Sequence, residues 1–138
     1  MPDKKINRKI AVIFATDVVG YSKHMEANER ETILNLRECE SILTGLFSKY
    51  EGRLFNKGGD SFLAEFPSAV SAVECAVEFQ NAIKERNSND DPSVKLDFRI
   101  GINSGDVVIE NENLLGDGVN IAARLEALSQ TGGVTISK

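Results

Sequence analysis

Two carboxylates fall where an active centre would need them. Asp17 closes the apolar run Ile10–Ala15 (IAVIFA), just past Thr16. Asp60 lies in the Gly-rich stretch Asn56-Lys57-Gly58-Gly59-Asp60. A strand-end Asp and a hairpin-turn Asp converge at one sheet edge if the hairpin lies beside the first strand. Two such carboxylates, with phosphate oxygens and water, suit Mg²⁺, a hard cation that keeps part of its water shell. Paired cations can activate an attacking hydroxyl and neutralise a departing pyrophosphate. On the carboxylates alone, satisfying local backbone amides is the better account of both.

The residues after Asp17 shift that balance. Val18-Val19-Gly20-Tyr21-Ser22 places successive amides around a Gly turn near a helix start, an arrangement that cradles phosphate. It has neither the lysine nor the spacing of a P-loop. Further on, Asn120 and Arg124 sit at i and i+4 on one face of a short helix. Such a pair is commonly solvated. With a nucleotide nearby, the Arg can stabilise charge on a phosphoryl group in transfer, and the Asn can hold a ribose.

The elements that must position these residues follow from the hydrophobic pattern. Ile10–Ala15 reads as a strand buried on both faces. Ala27–Tyr50 reads as one long helix, with Ile33, Leu36, Cys39, Leu43, Leu46, Phe47 and Tyr50 at three- and four-residue steps, ended by Gly52. Strands Arg53–Phe55 and Phe62–Phe66 flank the Gly-rich turn. Ser68 caps a helix running to Arg86, and residues 87–93 form a loop. Val94, Leu96, Phe98, Ile100 and Ile102 alternate with polar positions, as in a half-buried strand. It turns at Ser104-Gly105 and returns over Val107–Ile109. A helix over Val119–Leu128 and a strand over Val134–Ser137 complete the order. The first part is a βαββαβ unit: an α+β, ferredoxin-like (palm-type) antiparallel sheet with helices on one face, plus additional C-terminal elements. Residues 1–8 form a polar tail, and 9–138 form one domain.

The chain has 138 residues, 27% of them charged, and a net charge of −5. That balance argues against gripping a nucleic-acid backbone. Cys39, Cys75 and the lone His24 form no zinc pattern and read as reduced thiols and a surface histidine of a cytoplasmic protein. No signal peptide or membrane span is expected. Lys57 reads as solvated, Asp106 as structural, and Glu65 as paired or exposed rather than a third metal ligand.

Four segments in order carry a family resemblance: Asp17-Val-Val-Gly-Tyr-Ser22, the Gly59-Asp60 turn, Arg99-Ile-Gly-Ile-Asn-Ser-Gly105, and Gly116-Asp-Gly-Val-Asn-Ile-Ala-Ala-Arg124. From about Lys9 to its end the chain resembles the catalytic domain of class III adenylyl/guanylyl cyclases. The resemblance implies that Asp17 and Asp60 bind two Mg²⁺ or Mn²⁺ ions, with the Val18 carbonyl as a further ligand. It implies that the Tyr21 and Ser22 amides meet the terminal phosphates, and that Asn120 and Arg124 orient ribose and stabilise the transition state. It also implies a homodimer with shared sites, in which the metals sit on one subunit and the Asn/Arg pair comes from the other. The reaction would be attack of the ribose 3′-hydroxyl on the α-phosphate, giving a cyclic 3′,5′-nucleotide and pyrophosphate.

The chain departs from the family at the positions that read the base. Asn56 stands where adenylyl cyclases carry Lys, and Asn113 where they carry Asp. Asn both donates and accepts, so the pair suits either purine, with ATP favoured by family frequency. The family also continues past Lys138 into a segment with a phosphate-binding Lys, so a C-terminal truncation is expected. Two other readings stand beside a cyclase: a nucleotide-binding or regulatory domain without turnover, and a GGDEF-type diguanylate cyclase. The latter is suggested by Gly58-Gly59-Asp60-Ser61-Phe62 and opposed by Ser61 and by the Asn120/Arg124 helix.

Overall fold

The computed structural model describes residues 6–89 and 92–137. Its elements are β1 (Asn7–Val18), α1 (Tyr21–Ala27), α2 (Glu29–Lys49), β2 (Arg53–Gly58), β3 (Ser61–Phe66), α3 (Ala69–Asn89), β4 (Phe98–Glu110), β5 (Asn113–Leu115), α4 (Asp117–Leu128) and β6 (Val134–Ile136). The sheet order is β2-β3-β1-β4-β5, with β6 parallel to β4. Through β4 this is the expected βαββαβ palm-type arrangement.

β1 is the spine. Even-numbered Phe14 and Val18 join a core built with α2 and α3, where Phe14 meets Phe47 edge-on at 5.4 Å. Odd-numbered Ala11, Ile13 and Ala15 join a second core with Val107, Leu114, Val119 and Ala122, beneath α4. Burial on both faces explains why the segment is apolar throughout. The helices of the βαββαβ unit thus share one face, and the added C-terminal helix covers part of the other.

Several boundaries differ from the sequence expectation. β1 begins at Asn7, inside the expected tail, because Asn7 and Arg8 pair with Ile109 and Val108; residues 1–5 lie outside the described residues. The long helix starts at Glu29 rather than Ala27, and a separate short helix, α1, precedes it. Asn28 is extended, ends α1 by donating to His24 O, and caps α2 by accepting from the Glu31 amide at 3.1 Å. Thr32 Oγ1 then donates to His24 O, stitching α1 to α2. Ser68 does cap α3, accepting from the Ser71 amide, but α3 runs on to Asn89; Asp90 and Asp91 of the expected loop lie outside the described residues.

The largest correction concerns β4. It starts at Phe98 rather than Val94, and it does not turn at Ser104-Gly105. Twelve consecutive residue pairs with β1, from Asn7↔Ile109 to Val18↔Phe98, carry the strand straight through. The hairpin comes later, at Asn111, whose φ of 57° is a turn conformation. The polar-looking side of β4 is not exposed either. A Cβ on Gly101 would lie 2.2 Å from Glu126 N and 2.4 Å from Ala122 O, so α4 sits directly on the strand there. Asn103, also buried, donates to Gly118 O at 2.9 Å and fixes the start of α4.

Two outcomes check this packing. Gly101→Ala forces α4 off β4 and should cost about 1–3 kcal/mol, the scale of overpacking, in urea denaturation. Burial pushes the Cys39 thiol up to about 11 and the Cys75 thiol up to about 12. Both should therefore resist iodoacetamide at pH 8 in the native protein and react fully on unfolding.

Candidate functional site

The β1–β3 pairing ends at Thr16↔Phe62, which leaves the Gly59-Asp60 turn beside the last residues of β1. There the Val18 amide donates to Asp60 Oδ2 at 3.1 Å. The two aspartates therefore meet at one end of the sheet. Burial pushes the Asp60 carboxyl above its ordinary value and the charge of Asp17 adds to the shift, while the Val18 amide opposes it. A divalent cation is the natural remedy for adjacent, partly buried carboxylates, so this donor set fits a hard oxygen-seeking metal. Among the described residues no cluster of three or more His, Cys, Asp or Glu could enclose an ion by itself. A cation here would need backbone, triphosphate or water oxygens to complete its shell.

The turn after β1 is open toward the same end. Gly20 adopts the left-handed conformation (φ 64°), which lets the chain leave the strand and enter α1. The Val19 amide is engaged by Asp97 O, and the Lys23 and His24 amides return to Gly20 O. The Tyr21 and Ser22 amides precede that first bonded turn, and no side chain caps the helix start.

Asn56 and Asn113, far apart in sequence, line one open pocket of about 560 Å³ with Phe55, Lys57, Asn111 and Glu112. Two details bring them together. A bulge between Leu54 and Asn56 pairs Asn56 with Leu63, turning it to the sheet face opposite α2. Across the pocket, Arg53 Nη1 donates to Glu112 O at 2.7 Å and draws the β4–β5 hairpin over β2. Asn113 Oδ1 accepts from the Leu114 amide, which leaves its NH₂ as the group free to meet a ligand. Lys57 reaches the other way, to Glu40 at 2.7 Å.

Asn120 and Arg124 are not brought to the aspartates. They are exposed on the side of α4 away from the sheet, while Gly118, Val119, Ala122 and Glu126 face inward. The residues read as ordinary behave so: Arg8 pairs with Asp106, and Lys9 and Arg53 hold the Glu65 carboxyl below its usual value despite its burial.

Two residues of the site escaped the sequence reading. Arg99, opposite Asp17 in the β1–β4 ladder, reaches Asp17 Oδ1 at 3.4 Å and Glu126 Oε2 at 3.6 Å. Glu126 is only 6% exposed. Burial, then the hydrogen bond and charge of Asp17, push its carboxyl up to about 8. One signal was present: Glu126 lies four residues after Ala122 and seven after Val119, on the apolar face of α4.

Comparison with known proteins bears on the family and the fold. Residues 3–138 match the family model for the adenylate and guanylate cyclase catalytic domain. The chain belongs to the class III adenylyl/guanylyl cyclase catalytic-domain family. It is 44% identical over 138 residues to "Putative adenylate cyclase 3" of Rhizobium meliloti (strain 1021), covering 99% of this chain and 24% of that protein. The chain thus spans about a quarter of the length of that curated relative. Among solved structures, an adenylate/guanylate cyclase/hydrolase from Silicibacter pomeroyi superposes with a TM-score of 0.83 at 36% identity, covering 97% of this chain and 78% of that one. The adenylyl cyclase CyaB from P. aeruginosa gives a TM-score of 0.83 at 26% identity, over 96% and 79%. No helix among the described residues of this cyclase domain is long and apolar enough to cross a membrane.

The raised Glu126 carboxyl has a testable consequence for the metal-free cyclase domain. Between its ordinary value of 4.5 and about 8, the folded chain holds a proton there that the unfolded chain releases. This group's contribution to stability is complete below pH 4.5 and is lost as pH rises through about 8. In EDTA, Glu126→Gln should flatten the fall in Tm between pH 5 and 8 and raise Tm by several degrees at pH 8, as read by calorimetry.

Proposed function

We propose that this domain converts ATP to cyclic 3′,5′-AMP and pyrophosphate in cyclic-nucleotide signalling, as a homodimer with two shared sites. The observation that carries the reading is the convergence of Asp17 and Asp60 beside the open Gly20 turn, in a chain of this family. ATP is favoured by the relative named as a putative adenylate cyclase.

In this reading Asp17, Asp60 and the Val18 carbonyl hold Mg²⁺ or Mn²⁺. Two such ions when bound would lower the pKa of the ribose 3′-hydroxyl and offset charge on the leaving pyrophosphate. The amides from Gly20 to Ser22, those of Tyr21 and Ser22 above all, take the terminal phosphate oxygens, while the Val19 amide stays on Asp97 O. The purine lies in the pocket of Asn56 and Asn113. From Asn56 to the β2–β3 turn is about 10 Å of strand, a span that suits a nucleotide. The 3′-oxygen bonds to the α-phosphorus, the bond from that phosphorus to the β-phosphate oxygen breaks, pyrophosphate leaves, and the hydroxyl proton passes to water.

A second copy supplies what one chain lacks. The outer face of α4 presents Asn120 and Arg124 together with Ile121 (38% exposed) and Leu128 (78% exposed), while Glu126 points inward. A helix that serves only its own fold buries the apolar pair and exposes the acid. This inverted pattern supports a dimer in which Asn120 orients the ribose held by the partner and Arg124 stabilises the charge on the transferring phosphoryl group.

The test incubates the chain with ATP or GTP and Mg²⁺ or Mn²⁺, following cyclic nucleotide and pyrophosphate. Asp17→Ala and Arg124→Ala should each lower kcat at least 100-fold, and mixing the two variants should restore up to a quarter of the activity, about the share expected of one intact site in mixed dimers. Nucleotide bound without product would instead support the binding-only reading. Product lost in the variants but not restored by mixing would remove the shared-site dimer.

A further inference from the structure

The guanidinium of Arg99 is divided among three oxygens on two elements. Nη2 lies 3.4 Å from Asp17 Oδ1 on β1 and 3.6 Å from Glu126 Oε2 on α4. Nη1 donates to Ala127 O, in the last turn of α4, at 3.2 Å. Nε is buried and finds no hydrogen-bond partner among the described residues. Charge-assisted N–H···O bonds close to about 2.7–2.9 Å when nothing competes for them. Arg99 thus faces two carboxyl groups, neither closely, and keeps one donor in reserve. α4 has no basic residue in its own last turn, so Arg99 also supplies the cation that helix C-terminal carbonyls attract.

These contacts put β1 and α4 in competition for one side chain. When Asp17 turns its charge onto a divalent cation, Nη2 is left with Glu126. The guanidinium then has acceptors only on α4. The contact at Gly101 seats that helix on β4, so a firmer grip on its last turn acts on a rigid body whose outer face carries Asn120 and Arg124.

We propose that Arg99 is a positioning residue that transmits cation occupancy at Asp17 to the last turn of α4, the helix bearing Asn120 and Arg124. The proposal rests on the reading of Asp17 and Asp60 as cation ligands. In a dimer with shared sites it would make a metal bound at one site order the residues that serve the other.

The test needs no turnover. Hydrogen exchange of the 138-residue chain is followed by mass spectrometry with and without Mn²⁺ alone, and bound Mn²⁺ is counted by electron paramagnetic resonance in the same samples. Amides over residues 124–129 should exchange several-fold more slowly when Mn²⁺ is bound. In Arg99→Gln, Mn²⁺ should still bind and those amides should not respond. Because Arg99→Gln leaves the buried Glu126 carboxyl without its guanidinium neighbour and weakens the fold, the double variant Arg99→Gln/Glu126→Gln is measured beside it, with the same expectation. Bound Mn²⁺ with unchanged α4 exchange in the wild type, or a full response in the folded double variant, overturns the proposal and leaves the cyclase reading standing. No Mn²⁺ binding by the wild-type chain overturns both.

Discussion

The site and both cores depend on the antiparallel ladder between β1 and β4. It runs twelve residues without a break and sets which side chain stands opposite which. A slip of one residue would turn every side chain of β1 to the other face, exchanging Phe14 for Ile13 in the α2/α3 core and removing Asp17 from Arg99. Both faces of β1 are filled, one by Phe47 and Phe66 and the other by Val119 and Ala122, so no other register packs. The same ladder places Asp17 at the end of the sheet, where β3 has already stopped pairing and the Asp60 turn can reach the Val18 amide.

Around that end the electrostatics are deliberately unbalanced. Among the described residues, Asp17, Asp60 and Glu126 gather near one cation, Arg99, in a chain whose net charge is already −5. Two of these carboxyls are pushed up, first by burial and then by their neighbours' charge. A fold selected for stability alone would replace such a cluster with apolar contacts or complete its pairs. Left underneutralised, the cluster fits the cation of the proposed function, and Arg99 and Glu126 make α4 electrostatically part of it, although the exposed residues of α4 point elsewhere. The cost is borne chiefly by the core under α2 and α3, whose four fully buried phenylalanines, Phe14, Phe62, Phe79 and Phe98, contribute about 1.5–3 kcal/mol each.

The sequence by itself determined the types of the main elements, though not the continuity of β4 or the existence of β5, together with the family and the residues with chemical potential. Apolar runs and three-to-four-residue steps report burial directly, because each side chain's solvent transfer is a local property. Asp17, Asp60, Asn120 and Arg124 were legible as motifs for a similar reason, since their spacing to Gly20, Gly59 and Gly116 is fixed along the chain. The tertiary structure decided what those residues meet. The Ser104-Gly105 turn read from composition is overridden by pairing with β1, because ladder hydrogen bonds on a central strand outweigh a local turn preference. Asn56 and Asn113 share a pocket only through a bulge and an Arg53 contact that no local pattern encodes. Arg99 and Glu126 became site residues only once a cross-strand register and a glycine-sized gap set α4 on β4. Such meetings join positions dozens of residues apart, and their energy exists only when the chain is folded.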